Sequence, residues 1–387
     1  MIGVVNVIYL DNAATSWPKP DSVYKSVTEA MKYKGGNPGR SAHKLSIAAG
    51  QVLEKTRFSL SRLFGIEDPK HIVFCQNATD ALNLAINGVL KPGEHIITSS
   101  MEHNSVTRPI EYQILKGVEC TKLKMDPVVG IDTEELKKAI KDNTRLVVIT
   151  HASNVTGTIN PIQKIGEICR NEKIVFLVDA AQTAGAVPIY IEKMGIDMLA
   201  FPGHKGLLGP LGTGGLYIAE GLDVNPLRFG GTGVFSDMKL QPDELPYRYE
   251  SGTQNVHGLA GLNEGVQYIL SRTVESIFEH EQKLTSLLTN ELAKISGVSV
   301  YGYPYDNARS TAVSINIESV DCLDAAMILD TSFDIAVRSG LHCAPDAHIT
   351  IGTAKTGGTI RASAGVFTTE DDIMRYVEAV KEITATV

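Results

Sequence analysis

Lys205 lies in the run Asp197-Met-Leu-Ala-Phe-Pro-Gly-His-Lys-Gly-Leu-Leu-Gly-Pro-Leu-Gly-Thr-Gly-Gly, and upstream Asp179 closes the apolar run Lys173-Ile-Val-Phe-Leu-Val-Asp. An amine on a glycine-rich loop and a carboxylate ending a buried strand are the two groups a pyridoxal phosphate (PLP) site needs. The amine forms a Schiff base, and the carboxylate keeps the pyridine nitrogen protonated so that the ring accepts electrons. Each alone has an ordinary reading, as a solvated loop lysine or a strand-ending turn former. Gln182, three residues after Asp179, His204 beside Lys205, and a separate turn suited to a phosphate tip the balance toward PLP.

That turn is Ile72-Val-Phe-Cys-Gln-Asn-Ala-Thr-Asp-Ala-Leu-Asn, a strand running into a helix. Unpaired N–H groups and the positive end of the helix dipole would face an anion there. Thr79 has two readings, a hydroxyl for a phosphate or the N-cap of the helix. The chain lacks Gly-x-x-x-x-Gly-Lys-Ser/Thr, and its glycines at 209–215 do not follow a first strand, so nucleotide binding is disfavoured.

These residues need a scaffold, and the pattern supplies one. Strands are predicted at 71–75, 95–99, 145–150, 173–178, 197–201 and 214–219, with helices at 79–89, 134–140 and 161–171 between them. The alternation implies an α/β fold with a mainly parallel sheet flanked by helices. After Val256 it gives way to long amphipathic helices at 256–272 and 277–296. A strand at 311–317, a short helix at 323–330 and a closing helix after Thr368 complete a smaller α+β unit. Two domains are expected, a large one over 16–257 and a small one over 258–387, with the N-terminal segment 1–15 packing on the latter.

At 387 residues the chain has ample apolar content for a core, and its net charge of −8 is spread without basic runs. A nucleic-acid or membrane surface is therefore not expected. The N-terminus has no basic region, and no apolar stretch reaches the roughly 18 residues of a membrane span, so a cytoplasmic protein is predicted. The five cysteines, Cys75, Cys120, Cys169, Cys322 and Cys343, are scattered and odd in number, unlike a disulfide framework or a paired zinc site. His280-Glu-Gln-Lys-Leu misses the zinc-protease helix motif at Leu284, and no metal site is read.

Eight motifs stand in a fixed order: Tyr9-Leu-Asp-Asn-Ala-Ala-Thr, Met101-Glu-His-Asn, Ser153-Asn-Val-Thr-Gly-Thr-Ile-Asn-Pro, Asp179-Ala-Ala-Gln, Gly203-His-Lys, Glu250-Ser-Gly-Thr-Gln-Asn, Arg338-Ser-Gly-Leu-His-Cys-Ala-Pro and Arg361-Ala-Ser. In this order they resemble the cysteine desulfurase and selenocysteine lyase branch of the class V aminotransferase family. The resemblance implies a fold-type I PLP-dependent transferase, acting as a homodimer with sites at the subunit interface. It makes Lys205 the Schiff-base lysine, Asp179 the partner of the pyridine nitrogen and Gln182 the partner of the ring hydroxyl. His103 would stack on the ring and shuttle a proton. Thr79, beside Ala78, and His204 would hold the phosphate, joined by Thr253 of the second subunit. Asn154 and Arg361 would face the substrate carboxylate, with Ala13 and Arg338 beside the substrate.

A lone cysteine is more often a small packing residue than a nucleophile. Cys343, however, sits on a Gly/Pro-containing loop beside His342 and near Arg338, surroundings of the kind that activate a cysteine. Its motif resembles that of the persulfide-forming cysteine of the Suf-type branch. The implied reaction takes L-cysteine to L-alanine, with Lys205 moving the Cα proton and Cys343 receiving sulfur for a protein or small-thiol acceptor. L-Selenocysteine is the alternative substrate, and an aminotransferase, lyase or epimerase that does not use Cys343 is the alternative enzyme. Pro202 stands where the family usually has a phosphate-contacting serine, and the segment from Cys343 to Arg361 is longer than in the Suf-type enzymes.

Overall fold

The computed structural model describes residues 7–39, 43–304 and 308–386. Its centre is a seven-stranded sheet in the order Ile72–Cys75, Gly214–Ile218, Met198–Pro202, Val175–Asp179, Thr144–Thr150, His95–Ser99, Glu119–Leu123. The β-branched and aromatic runs that identify these strands are buried on both faces, as helix-covered sheets require. The fold class read from the alternation is borne out, with one difference. Gly214–Ile218 runs antiparallel to both its neighbours, while the other six strands of the sheet all point the same way. A parallel return needs a crossover of a dozen or more residues, usually helical, and the loop between Pro202 and Gly214 holds no helix. The strand simply turns back, and Lys205 rides on the turn.

Several elements escaped the sequence reading. Helices Asp21–Tyr33 and Lys44–Phe64 pack against Val256–Arg272, and helix Asn104–Ile114 follows the His95–Ser99 strand. Val256, Leu259, Leu262, Val266 and Ile269 belong to the same apolar core as Phe64, Phe176 and Phe201. A second sheet, in the order Arg338–Gly340, Thr359–Ser363, Ala312–Ile317, Val298–Val300, is antiparallel throughout and shares a core with helices Val274–Leu292, Cys322–Phe333 and Glu370–Thr386. Ile8–Tyr9 pairs in parallel with Ile335–Ala336. Residues 1–6 of the N-terminal strand read from sequence lie outside the described residues. Thr273, at φ 68°, ends one long helix and caps the next through Ser276 N.

Among the described residues no helix is long and apolar enough to cross a membrane.

Candidate active site

The carboxyl ends of the parallel strands converge on a cavity of about 210 Å³, where open α/β sheets place their ligands. Asp179 ends its strand at the floor, and Thr150 ends the neighbouring one. Lys205 and His204 reach the cavity from the turn after Pro202, and Asn77, Ala78 and Thr79 from the turn after Cys75. His103, Asn154, Gln182 and Arg338 complete the set of sequence-derived residues that line it.

The turn at Asn77 removes the N-cap reading of Thr79. Asn77 is the N-cap, its side chain accepting from Asp80 N at 2.9 Å, and Thr79 lies inside the first turn. Its hydroxyl is thereby released from capping and meets Ser105 Oγ at 2.7 Å. Close approach of this turn to the sheet depends on Gly214, where an added Cβ would stand 2.9 Å from Asn77 Cα and 2.8 Å from Phe201 O. His103 caps helix Asn104–Ile114, its Nδ1 accepting from Ser105 N at 3.0 Å, which leaves Nε2 to carry the proton in the neutral ring.

Burial dominates the electrostatics. It pushes the Lys205 amine down to about 8, helped by the Arg361 charge and opposed by Asp179. It pushes His103 down to about 4, with the Lys205 charge adding to the effect, and His204 to about 4 for the same two reasons. The Asp179 carboxyl moves the other way, upward, again by burial, against a hydrogen bond from Ala181 N at 2.9 Å. A buried carboxyl with that single bond is the group a pyridinium N–H would satisfy. An amine shifted toward neutrality, a helix N-terminus and this carboxyl around one cavity fit PLP.

Not every residue expected at the site lines the cavity. Arg361 is fully buried behind it, with Nη2 on Asp11 Oδ1 at 2.9 Å and Nη1 on Asn154 O at 3.0 Å, while its Nε has no partner. Asn154 in turn donates from Nδ2 to His342 O at 2.7 Å. Ala13 stands behind Gln182, whose Nε2 donates to its carbonyl at 3.2 Å. Cys343 is exposed on its loop, and Arg338 Nη2 reaches its Sγ at 3.2 Å. Thr253 is exposed and outside the cavity. Pro202 does line it, at the position where a hydroxyl was expected to be missing.

Sequence reasoning gave no role to four residues that matter here. Asp11 holds Arg361, Ser105 links Thr79 to His103, and Lys19 donates from Nζ to His204 O at 2.7 Å. Glu102 is buried under the site and accepts from Ser99 Oγ and Thr150 N; burial lifts it to about 8. Asp11 and Glu102 both lie inside quoted motifs, which was the available signal. Among the described residues, no group of three or more potential metal ligands occurs.

The chain belongs to the class V aminotransferase family, matching it over residues 8–376. It is 34% identical over 381 residues to a probable cysteine desulfurase of Methanothermobacter thermautotrophicus, covering 97% of this chain and 94% of that one. Its structure is similar to the apo structure of a cysteine desulfurase from Thermococcus onnurineus, with a TM-score of 0.92, 33% identity, and 98% and 95% of the two chains covered. It is also similar to the cysteine desulfurase CsdA from Escherichia coli, with a TM-score of 0.87, 27% identity, and 98% and 95% covered. Enzymes of this family depend on PLP, in agreement with the fit of the cavity.

Proposed function

We propose that this protein is a PLP-dependent cysteine desulfurase that converts L-cysteine to L-alanine and passes the sulfur to an acceptor. The observation that carries the reading is the approach of Cys343 Sγ to Arg338, a residue of the cavity that also holds Lys205 and Asp179. Bound PLP would supply the electron sink. Lys205 would hold it covalently, Asp179 and Gln182 would meet its ring, His103 would stack on it, and Thr79, the N–H groups after Asn77 and His204 would take its phosphate.

Lys205, partly deprotonated near neutrality, is suited to take the Cα proton and return one to the product. Arg361 and Asn154 would orient the substrate carboxylate, with Asp11 holding the guanidinium in place meanwhile. Cys343 Sγ would then bond to the substrate sulfur as the substrate C–S bond breaks. The electron pair and a proton end on the β-carbon, so that L-cysteine and the Cys343 thiol become L-alanine and a Cys343 persulfide.

A homodimer is part of this proposal. Leu53, Phe58, Leu245, Tyr247 and Gln254 line a second hollow of about 550 Å³ next to exposed Thr253, and Phe58 is itself exposed. A second copy seated there would bury this apolar surface and offer Thr253 to a neighbouring site. We also place the boundary between the large and small units at Thr273, because Val256–Arg272 contributes its apolar face to the larger core. Five free cysteines agree with a reducing, cytoplasmic setting.

The test is alanine release by the holoenzyme from L-cysteine and from L-selenocysteine, with and without an added thiol. Thiol-stimulated alanine from cysteine supports the desulfurase. Alanine from selenocysteine alone supports the lyase, and no alanine from either sinks both.

A further inference from the structure

Beneath the loop that carries Cys343 lie two imidazoles to which the reaction above gives no role. His342 and His348 are 2% and 0% exposed, with ring centroids 5.3 Å apart and planes inclined at 46°. Each ring has one nitrogen engaged: His342 Nε2 with Thr359 Oγ1 at 2.9 Å, and His348 Nδ1 with Thr353 Oγ1 at 2.7 Å. The other two, His342 Nδ1 and His348 Nε2, are buried with no partner.

A buried nitrogen without a partner is costly, and here both orphans belong to neighbouring rings. Burial holds both rings neutral, pushing His342 down to about 2 and His348 to about 4. A neutral imidazole has one donor and one acceptor nitrogen, so a single N–H···N bond would satisfy both orphans. The threonine hydroxyls at either end accept or donate as needed and fix which ring gives the proton.

The pair sits where the backbone most needs support. His342 and Cys343 are consecutive non-glycine residues in the left-handed region, at φ 48° and 57°. Such backbone costs free energy and persists only where its surroundings over-determine it. On one side the turn is pinned by Asn154 Nδ2 on His342 O at 2.7 Å and by Asn104 N on Cys343 O at 2.8 Å. On the other, the peg is the His342 ring, lodged against His348 and Thr359.

We propose that His348 is a positioning residue for Cys343: the two rings turn to close a hydrogen bond between His348 Nε2 and His342 Nδ1, and the bonded His342 ring then holds the left-handed turn that presents Sγ to Arg338. This deepens, and rests on, the reading of Cys343 as sulfur acceptor.

The test uses three variants of the holoenzyme, His348→Gln, His348→Asn and His348→Phe, and the rate at which iodoacetamide alkylates Cys343, followed by peptide mass spectrometry. Glutamine sets an amide near the Nε2 position, asparagine near Nδ1, and phenylalanine fills the space without a polar atom. Alkylation should slow by about tenfold in the Phe and Asn variants as the sulfur loses its contact with the Arg338 guanidinium, and return to the wild-type rate in the Gln variant. PLP content should match wild type in all three. Unchanged alkylation in the Phe variant, or rescue by Asn but not by Gln, overturns the proposal. Alkylation reads the thiol itself, whereas turnover of Cys343→Ala judges separately whether that thiol accepts sulfur.

Discussion

Arg338 Nη2 stands 3.2 Å from Cys343 Sγ, which ties the sulfur on an exposed loop to a side chain that lines the cavity. The contact gives the sulfur a charged donor and a direction.

Removing the thiol should separate binding from sulfur transfer. Cys343→Ala is expected to retain PLP and to bind cysteine, because Lys205, Asp179 and Arg361 are untouched. Sulfur transfer should be lost, and mass spectrometry should find no persulfide on the peptide from Arg338 to Lys355. Persulfide on Cys75, Cys120, Cys169 or Cys322, or undiminished desulfuration, would contradict the assignment.

Lys205→Ala should lose the covalent hold on PLP, seen as disappearance of the yellow colour on dialysis, and turnover should fall by about a thousandfold or more. Lys19 is the neighbouring amine, and burial pushes it down to about 8, but its Nζ is engaged by Ser16 Oγ and His204 O, both at 2.7 Å. Substantial turnover in the variant would mean that Lys19 or another amine takes over.

For Asp179→Asn, PLP should remain bound while the rate falls severely, since an amide cannot keep a pyridinium proton as a carboxylate does. A rate within a few-fold of wild type would refute that role.

The strands that build the site announce themselves because they are apolar on both faces, as in Val175–Asp179. Glu119–Leu123 did not, since as an edge strand it keeps polar residues on a half-exposed surface. Helix Asn104–Ile114 was hidden by Pro109 within it. Among site residues, those named by motif were legible one at a time, but their couplings were not. Nothing in the spacing from Asp11 to Arg361, or from Arg57 to Glu250, says that the side chains meet. Nor does sequence suggest that His342 and Cys343 adopt a backbone that glycine usually supplies.

The second of those couplings should dominate stability around the turn after Cys75. Arg57 meets Glu250 Oε1 at 2.8 Å and Oε2 at 3.0 Å, and Glu250 also accepts from Phe74 N at 2.6 Å, all buried. Arg57→Leu leaves a buried carboxylate unpaired and should cost about 3–5 kcal/mol in chemical denaturation. A loss under about 1 kcal/mol would show the pair to be dispensable.

Acid should destabilise the fold through His151, which burial alone holds at about 4 against an ordinary 6.5. Above 6.5 neither the folded nor the unfolded ring is protonated, so the ring adds no pH dependence. Between 6.5 and about 4 only the unfolded chain takes the proton, and stability falls by up to roughly 3 kcal/mol, levelling off below. His151→Gln should flatten this part of the profile in urea titrations across that range; an unaltered slope would count against it.

The N-terminal segment leaves its parallel pairing with Ile335–Ala336 and runs directly to the peptide before Lys205. There Ser16 N, Thr15 Oγ1 and Lys19 Nζ all donate to the one carbonyl of His204, at 3.1, 3.1 and 2.7 Å. A strand of the smaller sheet's side is thus buckled onto the turn that presents the reactive amine. Any displacement of that segment would have to carry the His204–Lys205 peptide with it or break these three bonds, so the resting place of Lys205 is tied to the seating of a strand more than 180 residues away in the chain.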